Sequence, residues 1–567
     1  MRFSPRTLAL SSLGAALLCV GLWQSSTSYA QRAGAAPDPI TRLPLPPQSN
    51  VGNGSLGGPV TGAPASAPVA KPAPKVVPVS VPLPVAPPKN AIRVGLSTQG
   101  SAIQIWTPGG ATLRDLEQTT RSQSVPAGAT LSFIGGPSFS QKIGAQTFRG
   151  PISVQIGGRI SQGWSQVQVL PLGGEFARAT TNSKSPRYGR PYRGSFEVFP
   201  QRLAEPNHRK GPLALVNVLG LEDYLKGVVP WEMDAIAPLE ALKAQAICAR
   251  TKTLDFKQTG RFKAGRFDVC DYDACQGYPG TENEKSATTR AVEATRGLAL
   301  FQNGRPIDAV YSTNSGGITA SASDVWRGGD VPYLQSVHDF PDNSPLGTLF
   351  RGGMNEDKWA QFVSQPFGSF ARPDGLRSSN YEARKYRWSQ FISAGEASNA
   401  FAVQGLSRVT SITVESRATS GRIRRIKVTG MDAKAIAQPA QAASRKNAAS
   451  KRVEASIDID SHQFLPIDFS SDSVTLKTVL LEGDGAIRSM FSKQLGSTTA
   501  LPSSLFVVST KTDASGQLLG WTFSGAGWGH GVGLCQRGAQ NHAREGWDAR
   551  QILSWYYRGV QILPVGN

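Results

Sequence analysis

The sequence is poor in the residues that build metal sites and thiol scaffolds: its 567 residues hold five histidines and five cysteines. One cysteine, Cys19, lies in an N-terminal apolar segment, which leaves Cys248, Cys270, Cys275 and Cys535. No histidine falls between His208 and His338, so the usual zinc spacings are absent and no metal is expected. The stretch GWGHGVG near the C-terminus lacks the G-x-G-x-x-G spacing that cradles a phosphate, which excludes nucleotide binding, and no cofactor is implied. Beyond the first thirty residues there is no apolar run of the roughly 18 residues that a membrane helix needs. Acidic residues are also scarce, 40 against 60 Lys and Arg, for a formal charge of +20.

What the chain has in excess is proline and glycine, 39 and 60 residues, which warns that part of it builds no core. Residues 1–30 carry Arg2 and Arg6, an apolar run from about Leu8 to Trp23 and then Ser28-Tyr29-Ala30, the three regions of a signal peptide cleaved after Ala30. Cleavage removes two positive charges and leaves +18. For an exported protein such a balance favours anionic cell-wall polymers over nucleic acid, and none of the usual nucleic-acid-binding motifs is present. An oxidising compartment permits disulfides in any of three pairings, with Cys270 and Cys275 the nearest pair. A linker spans 31–90, Pro-, Ala- and Val-rich from about Ala35 to Pro88, and is expected to be an extended spacer.

Order should begin near Ala91. AIRVGLS, SAIQIW, PISVQIG and WSQVQVL alternate apolar and polar residues between Gly and Pro turns, so 91–202 reads as a β-rich N-terminal part. In LALVNVLGLEDYLKGVVP a strand passes through Gly220 into a short helix expected to stop at Pro230. A second helix is predicted from about Pro238, at its favoured first position, to Phe256, and its Ala241, Ala244, Ile247, Cys248 and Ala249 mark it as buried. SITVESRATSGRIRRIKVTG again reads as β, and the following AKAIAQPAQAASRKNAASKRVEA as an insertion. DARQILSWYYRG should be a helix capped by Asp548 and stopped by Gly559. The fold class is α+β, a β-rich body with several helices packed on it. Residues 203–567 form one catalytic domain with insertions at about 341–407 and 433–472.

Glu232 stands out chemically. It lies in VVPWEM between Pro230 and Pro238, flanked by Trp231 and Met233, so its carboxylate should emerge from a restrained turn beside apolar groups. That setting raises a carboxyl pKa and keeps a proton available for a glycosidic oxygen.

LEDYLKGVVPWEM followed by PLEALKAQAICARTKTL resembles the signature of the stage II sporulation protein D and amidase-enhancer (SpoIID/LytB) family. CDYDACQGYPG, YSTNSGGITA, PYLQSVHD, GAGWGHGVGLCQRGAQ and ILSWYYRGV resemble its remaining blocks in the same order, over about Leu213 to Val560. The resemblance implies a compact β-rich fold with helices, and a lytic transglycosylase acting on glycan strands stripped of their stem peptides. The family's catalytic glutamate matches Glu232. Matching blocks imply substrate-holding roles for Tyr224, Lys243, Gln245, Arg250, Ser315, Gly316, Gly317, His530 and Gln536. For the helix residues the plainer reading is buried hydrogen bonding, and for the glycines a tight turn or, in GWGHGVG, one face of a strand. Tyr311 departs from the family's His or Phe, and Cys535 from its Ser. The latter raises a Cys-His pairing with His530.

One carboxylate suffices for this chemistry, whereas glycoside hydrolysis ordinarily takes two. The acid protonates the leaving oxygen, then takes the proton of the muramyl C6 hydroxyl as that oxygen closes a 1,6-anhydro ring. The reading is therefore a secreted, periplasmic or wall-associated lytic transglycosylase acting on peptidoglycan glycan strands. The alternative is a non-catalytic glycan-binding enhancer of a cell-wall amidase.

Overall fold

The computed structural model describes residues 90–565 except 97–101, 108, 136–139, 150, 157–164, 171–189, 201–212, 263–265, 327, 367, 374–380, 433–474 and 493–500. The signal peptide, nearly all of the linker and the 433–472 insertion lie outside the described residues.

Alternation of apolar and polar residues becomes strands where the pattern promised them: Ala91–Leu96, Ala102–Thr107, Ile152–Ile156 and Ser165–Leu170. In Ala91–Leu96, Ile92, Val94 and Leu96 face the core while Arg93 turns outward to pair with Glu197. This strand joins the N-terminal part to the rest. It pairs antiparallel with Leu213–Gly220 and parallel with Val269–Cys270 in a seven-stranded sheet. A four-stranded sheet containing Ala102–Thr107, Ala129–Ile134 and Ser165–Leu170 packs its apolar face into the same core, through Ile103, Ile105, Leu131 and Phe133.

The strand Leu213–Gly220 runs straight into helix α1, Leu221–Glu232. No side chain caps it, but Glu222 and Asp223 in its first turn complement the positive end of the helix. The helix does not stop at Pro230. It continues to Glu232, with Pro230 in its last turn, where the missing N–H and the ring disturb few bonds and burial of Val228 and Val229 holds the turn in place. Glu232 is therefore the last residue of a helix rather than part of a turn.

Helix α2, Leu239–Thr259, is longer than expected, with Pro238 as N-cap and Gly260 as a left-handed C-cap. Its small residues let neighbours approach on most sides. Cys248 reaches Tyr557, and Arg250, fully buried, forms a two-pronged pair with Glu222 of α1 and also donates to the carbonyls of Val292 and Leu298. Val292 belongs to helix α3, Ser286–Ala294. A buried cation with every donor used locks α1, α2 and α3 together.

Besides the three-stranded sheet of Leu298–Gln302, Arg305–Pro306 and Gln561–Pro564, the C-terminal half adds two more among the described residues. One is the hairpin Leu406–Arg417 and Ile423–Asp432 with Leu476–Glu482. In the other, Arg387–Ser393, from the segment 341–407, pairs with Leu518–Ala526, which also pairs with Phe506–Thr512. Two short strands, Tyr311–Ser312 and Leu534–Cys535, pair in parallel and bring the STNSGG turn beside the glycine-rich stretch. The last helix, Ala549–Tyr556, has Asp548 as N-cap in a reciprocal capping box with Gln551, and Gly559 follows with φ +68°. The alternating glycines of GWGHGVG do not line a strand. Gly527, Gly529, Gly531 and Gly533 all have positive φ, so the segment is an irregular loop.

Candidate active site

Glu232 leaves the end of α1 half-buried. Its Oε1 accepts the backbone N–H of Gly277 at 2.8 Å, and the hydroxyl of Tyr311 bonds it as well. Burial raises its pKa from the ordinary 4.5 to about 7; the Gly277 amide, Tyr311 and Lys252 oppose the rise, and the negative charge of Asp273 adds to it.

Gly277 lies just past the disulfide Cys270–Cys275, which closes a short loop with Cα atoms 5.6 Å apart. The loop is further tied by Tyr278 N–H to the Asp271 carbonyl and Cys275 N–H to that of Tyr272. A Cβ at Gly277 would stand 1.9 Å from Cδ1 of Trp231, so only glycine lets the loop reach the carboxylate.

Tyr311 also donates to Oε1 of Gln276 at 3.0 Å. The orientation of Gln276 is settled by its amide nitrogen, which donates to the Ala249 carbonyl and to Thr253 Oγ1, whose own proton goes to Ala249. With its proton on Gln276, the Tyr311 hydroxyl accepts from a protonated Glu232; when Glu232 ionises, that proton turns to the carboxylate. The relay Gln276–Tyr311–Glu232 thus serves both states of the acid.

Gln536 ties the opposite side. Its amide donates to the backbone carbonyl of Glu232 at 2.9 Å and to Oε1 of Gln245 at 3.3 Å, and Nε2 of the fully buried Gln245 has no partner among the described residues. Among the residues implied by resemblance, Gln245 and Gln536 are thereby brought to Glu232. Tyr224 is buried on α1 with its ring 4.9 Å from that of Tyr278. Lys243 pairs with Glu240 at 2.6 Å, and Arg250 is committed to Glu222. Ser315, Gly316 and Gly317 form a buried turn with φ +78° and +113° at the glycines, and its bonds run to Asn314, Cys535 and Arg387 rather than to Glu232.

His530 sits in the glycine-rich loop, its ring 5.1 Å from that of Trp326. Nδ1 accepts from the N–H of Val532, which puts the imidazole proton on Nε2. Burial and the cation of Arg422 push its pKa down to about 4, so it is neutral at neutral pH. Arg422 itself is fully buried, 3.9 Å from Asp484. Cys535 is no nucleophile: it is fully buried, its sulfur accepts from the amides of Ser315 and Gly538 as N-cap of the helix Gln536–Arg544, and burial pushes its pKa up to about 12.

Sequence reasoning missed Gly277 as the partner of Glu232 and Gln276 as the partner of Tyr311, although both lie in the block CDYDACQGYPG. In the sequence Tyr311 shows only as a departure from the family pattern.

Residues 209–301 match the family described as Stage II sporulation protein (SpoIID). Residues 320–445 and 471–533 match a domain of unknown function, DUF8618. Over 338 residues the chain is 30% identical to the Amidase enhancer of Bacillus subtilis, covering 60% of this chain and 40% of that protein. It is 28% identical over 353 residues to an uncharacterized protein of Brachyspira hyodysenteriae, covering 62% and 68%. To Stage II sporulation protein D of Bacillus subtilis it is 34% identical over 146 residues, covering 23% and 42%. The matched region spans less than half the length of the Amidase enhancer and of Stage II sporulation protein D.

Proposed function

We propose that this chain, which belongs to the stage II sporulation protein (SpoIID) family, is exported and cuts the glycan strands of peptidoglycan as a lytic transglycosylase with Glu232 as its single acid/base. The observation that carries the reading is a carboxyl group with a pKa of about 7 at the end of α1, joined to a hydroxyl that can change the direction of its proton. A general acid works best when its pKa lies near the working pH.

In the first step Glu232 gives its proton to the glycosidic oxygen and the C1–O bond breaks. The carboxylate left behind is held by the Gly277 amide and by the Tyr311 proton. It then takes the proton of the muramyl C6 hydroxyl while O6 bonds to C1, which closes the anhydro ring and restores the acid. No water enters and no second carboxylate is needed.

A second reading rests on the name of one relative, Amidase enhancer: a protein that binds glycan and stimulates a wall amidase without cleaving bonds itself. Product analysis separates the two. The purified protein is incubated with peptide-stripped glycan and with intact sacculi, and mass spectrometry looks for anhydro-muramyl ends. Their appearance supports the transglycosylase; their absence, with stimulation of an added amidase, supports the enhancer.

A further inference from the structure

The turn between Leu406–Arg417 and Ile423–Asp432 buries a cation. Arg422 is fully buried, and its carbonyl accepts the N–H of Ala418 across the turn at 2.8 Å. A guanidinium carries five N–H donors. None of the three nitrogens of Arg422 finds an acceptor among the described residues. Arg250 is the contrast: equally buried, it spends its donors on Glu222 and on the carbonyls of Val292 and Leu298. Asp484 stands 3.9 Å from Nη1 of Arg422, beyond hydrogen-bond reach, and its two oxygens are committed to Ser504 at 2.5 Å and Arg488 at 3.4 Å. Asp324, the other carboxylate whose charge reaches Arg422, is taken by Ser420 and Arg424. Arg422, Arg424 and Arg488 thus share two carboxylates, and the cation left without hydrogen bonds is the most deeply buried of the three. Burial lowers its pKa to about 10, which still leaves it charged at neutral pH. An uncompensated charge with unmade hydrogen bonds is among the costliest arrangements in a protein interior.

The guanidinium lies against the glycine-rich loop. A Cβ at Gly531 would stand 1.8 Å from Nη2, so only glycine leaves room for it there. The imidazole of His530, the preceding residue, feels the charge of Arg422 more than those of Lys252, Asp484 and Arg488.

We propose that Arg422 is the centre of an anion site, in which a small monovalent anion of the size and charge of chloride accepts the guanidinium N–H bonds beside Gly531. One positive charge is in surplus, so one negative charge cancels it. A dianion would reverse the imbalance and bury a charge of its own. The ion is small because the loop backbone at Gly531 closes in on the guanidinium from one side and the Asp484 carboxylate stands on another. The site lies apart from Glu232, and the inference does not depend on the glycan reading.

The test melts the full chain at constant ionic strength while gluconate, too large for the site, is exchanged for chloride. The melting temperature should rise by about 2–5 °C and then saturate. Arg422→Met, which fills the space without charge, should melt at a temperature independent of chloride, and Arg422→Lys should keep the dependence with a weaker midpoint. In wild type, chloride should also raise the pKa of His530, followed by NMR of histidine-labelled protein, because the anion offsets the cation that depresses it. Crystals grown in bromide should show an anomalous-scattering peak within hydrogen-bond distance of the Arg422 guanidinium, a readout that stands even if Arg422→Met fails to fold. An equal, unsaturated rise in wild type and Arg422→Met is a general salt effect and would overturn the site. So would a His530 pKa indifferent to chloride, or water in place of bromide at Arg422.

Discussion

The backbone amide of Gly277 donates to Oε1 of Glu232 at 2.8 Å across 45 residues of sequence. The carboxyl is thereby fixed by a group that cannot titrate, on a loop that the Cys270–Cys275 disulfide closes. Gly277 does not have a positive φ, so alanine is permitted by its backbone; what forbids a side chain is Trp231. Gly277→Ala should therefore displace the indole or the loop, lower the melting temperature by the equivalent of about 1–3 kcal/mol and reduce turnover. Wild-type stability and turnover would show that the loop has room to give.

Glu232 makes stability depend on pH in a defined direction. Its folded pKa, about 7, lies above the ordinary 4.5, so the fold prefers the protonated form. The fold is fully favoured below about pH 4.5, and the cost of ionising Glu232 grows as pH rises toward 7, up to roughly 3 kcal/mol. Glu232→Gln escapes that cost. The variant should melt higher than wild type at pH 8 and together with it near pH 4.5. A lower melting point for the variant at pH 8 would contradict the assigned environment.

Much of the fold is legible in the sequence because local chemistry decides it. Alternation in 91–96 and 102–107 forecasts which residues face the core, and Asp548 forms the N-cap expected of it. Pro230 misleads because the packing of Val228 and Val229 keeps the helix going past it. The glycines at 527, 529, 531 and 533 mislead because a period of two is shared by strands and by loops that place every second residue at positive φ. The site is legible only in part. The apolar setting of Glu232 can be read from its neighbours, whereas Tyr311 and Gly277 reach it through strand pairing and a loop far away in sequence. Arg250 shows the converse, a polar residue of a matching block whose partner, Glu222, is a structural one.

Cys535 should tolerate serine. The thiol is protonated, buried and used as an acceptor from two amides, a task that a hydroxyl performs well at a helix N-cap. Cys535→Ser is expected to keep full activity and a melting temperature equal to wild type or slightly higher. Complete loss of activity with the fold intact would revive a role for the sulfur.

Tyr311 should matter to the proton rather than to the fold. Tyr311→Phe keeps the ring and removes the hydroxyl that bonds both Gln276 and Glu232. The ionised carboxylate loses a donor, so the upper limb of the pH–rate profile should move to higher pH while turnover falls by about tenfold or more. A profile identical to wild type would remove Tyr311 from the relay.

The most direct test is the yield of anhydro-muramyl ends from peptide-stripped glycan by wild type and Glu232→Gln, with binding and melting temperature measured on the same preparations. The account predicts a loss of about 10² to 10⁴ in rate for the variant, with glycan binding retained. Anhydro products formed by Glu232→Gln at the wild-type rate would contradict it.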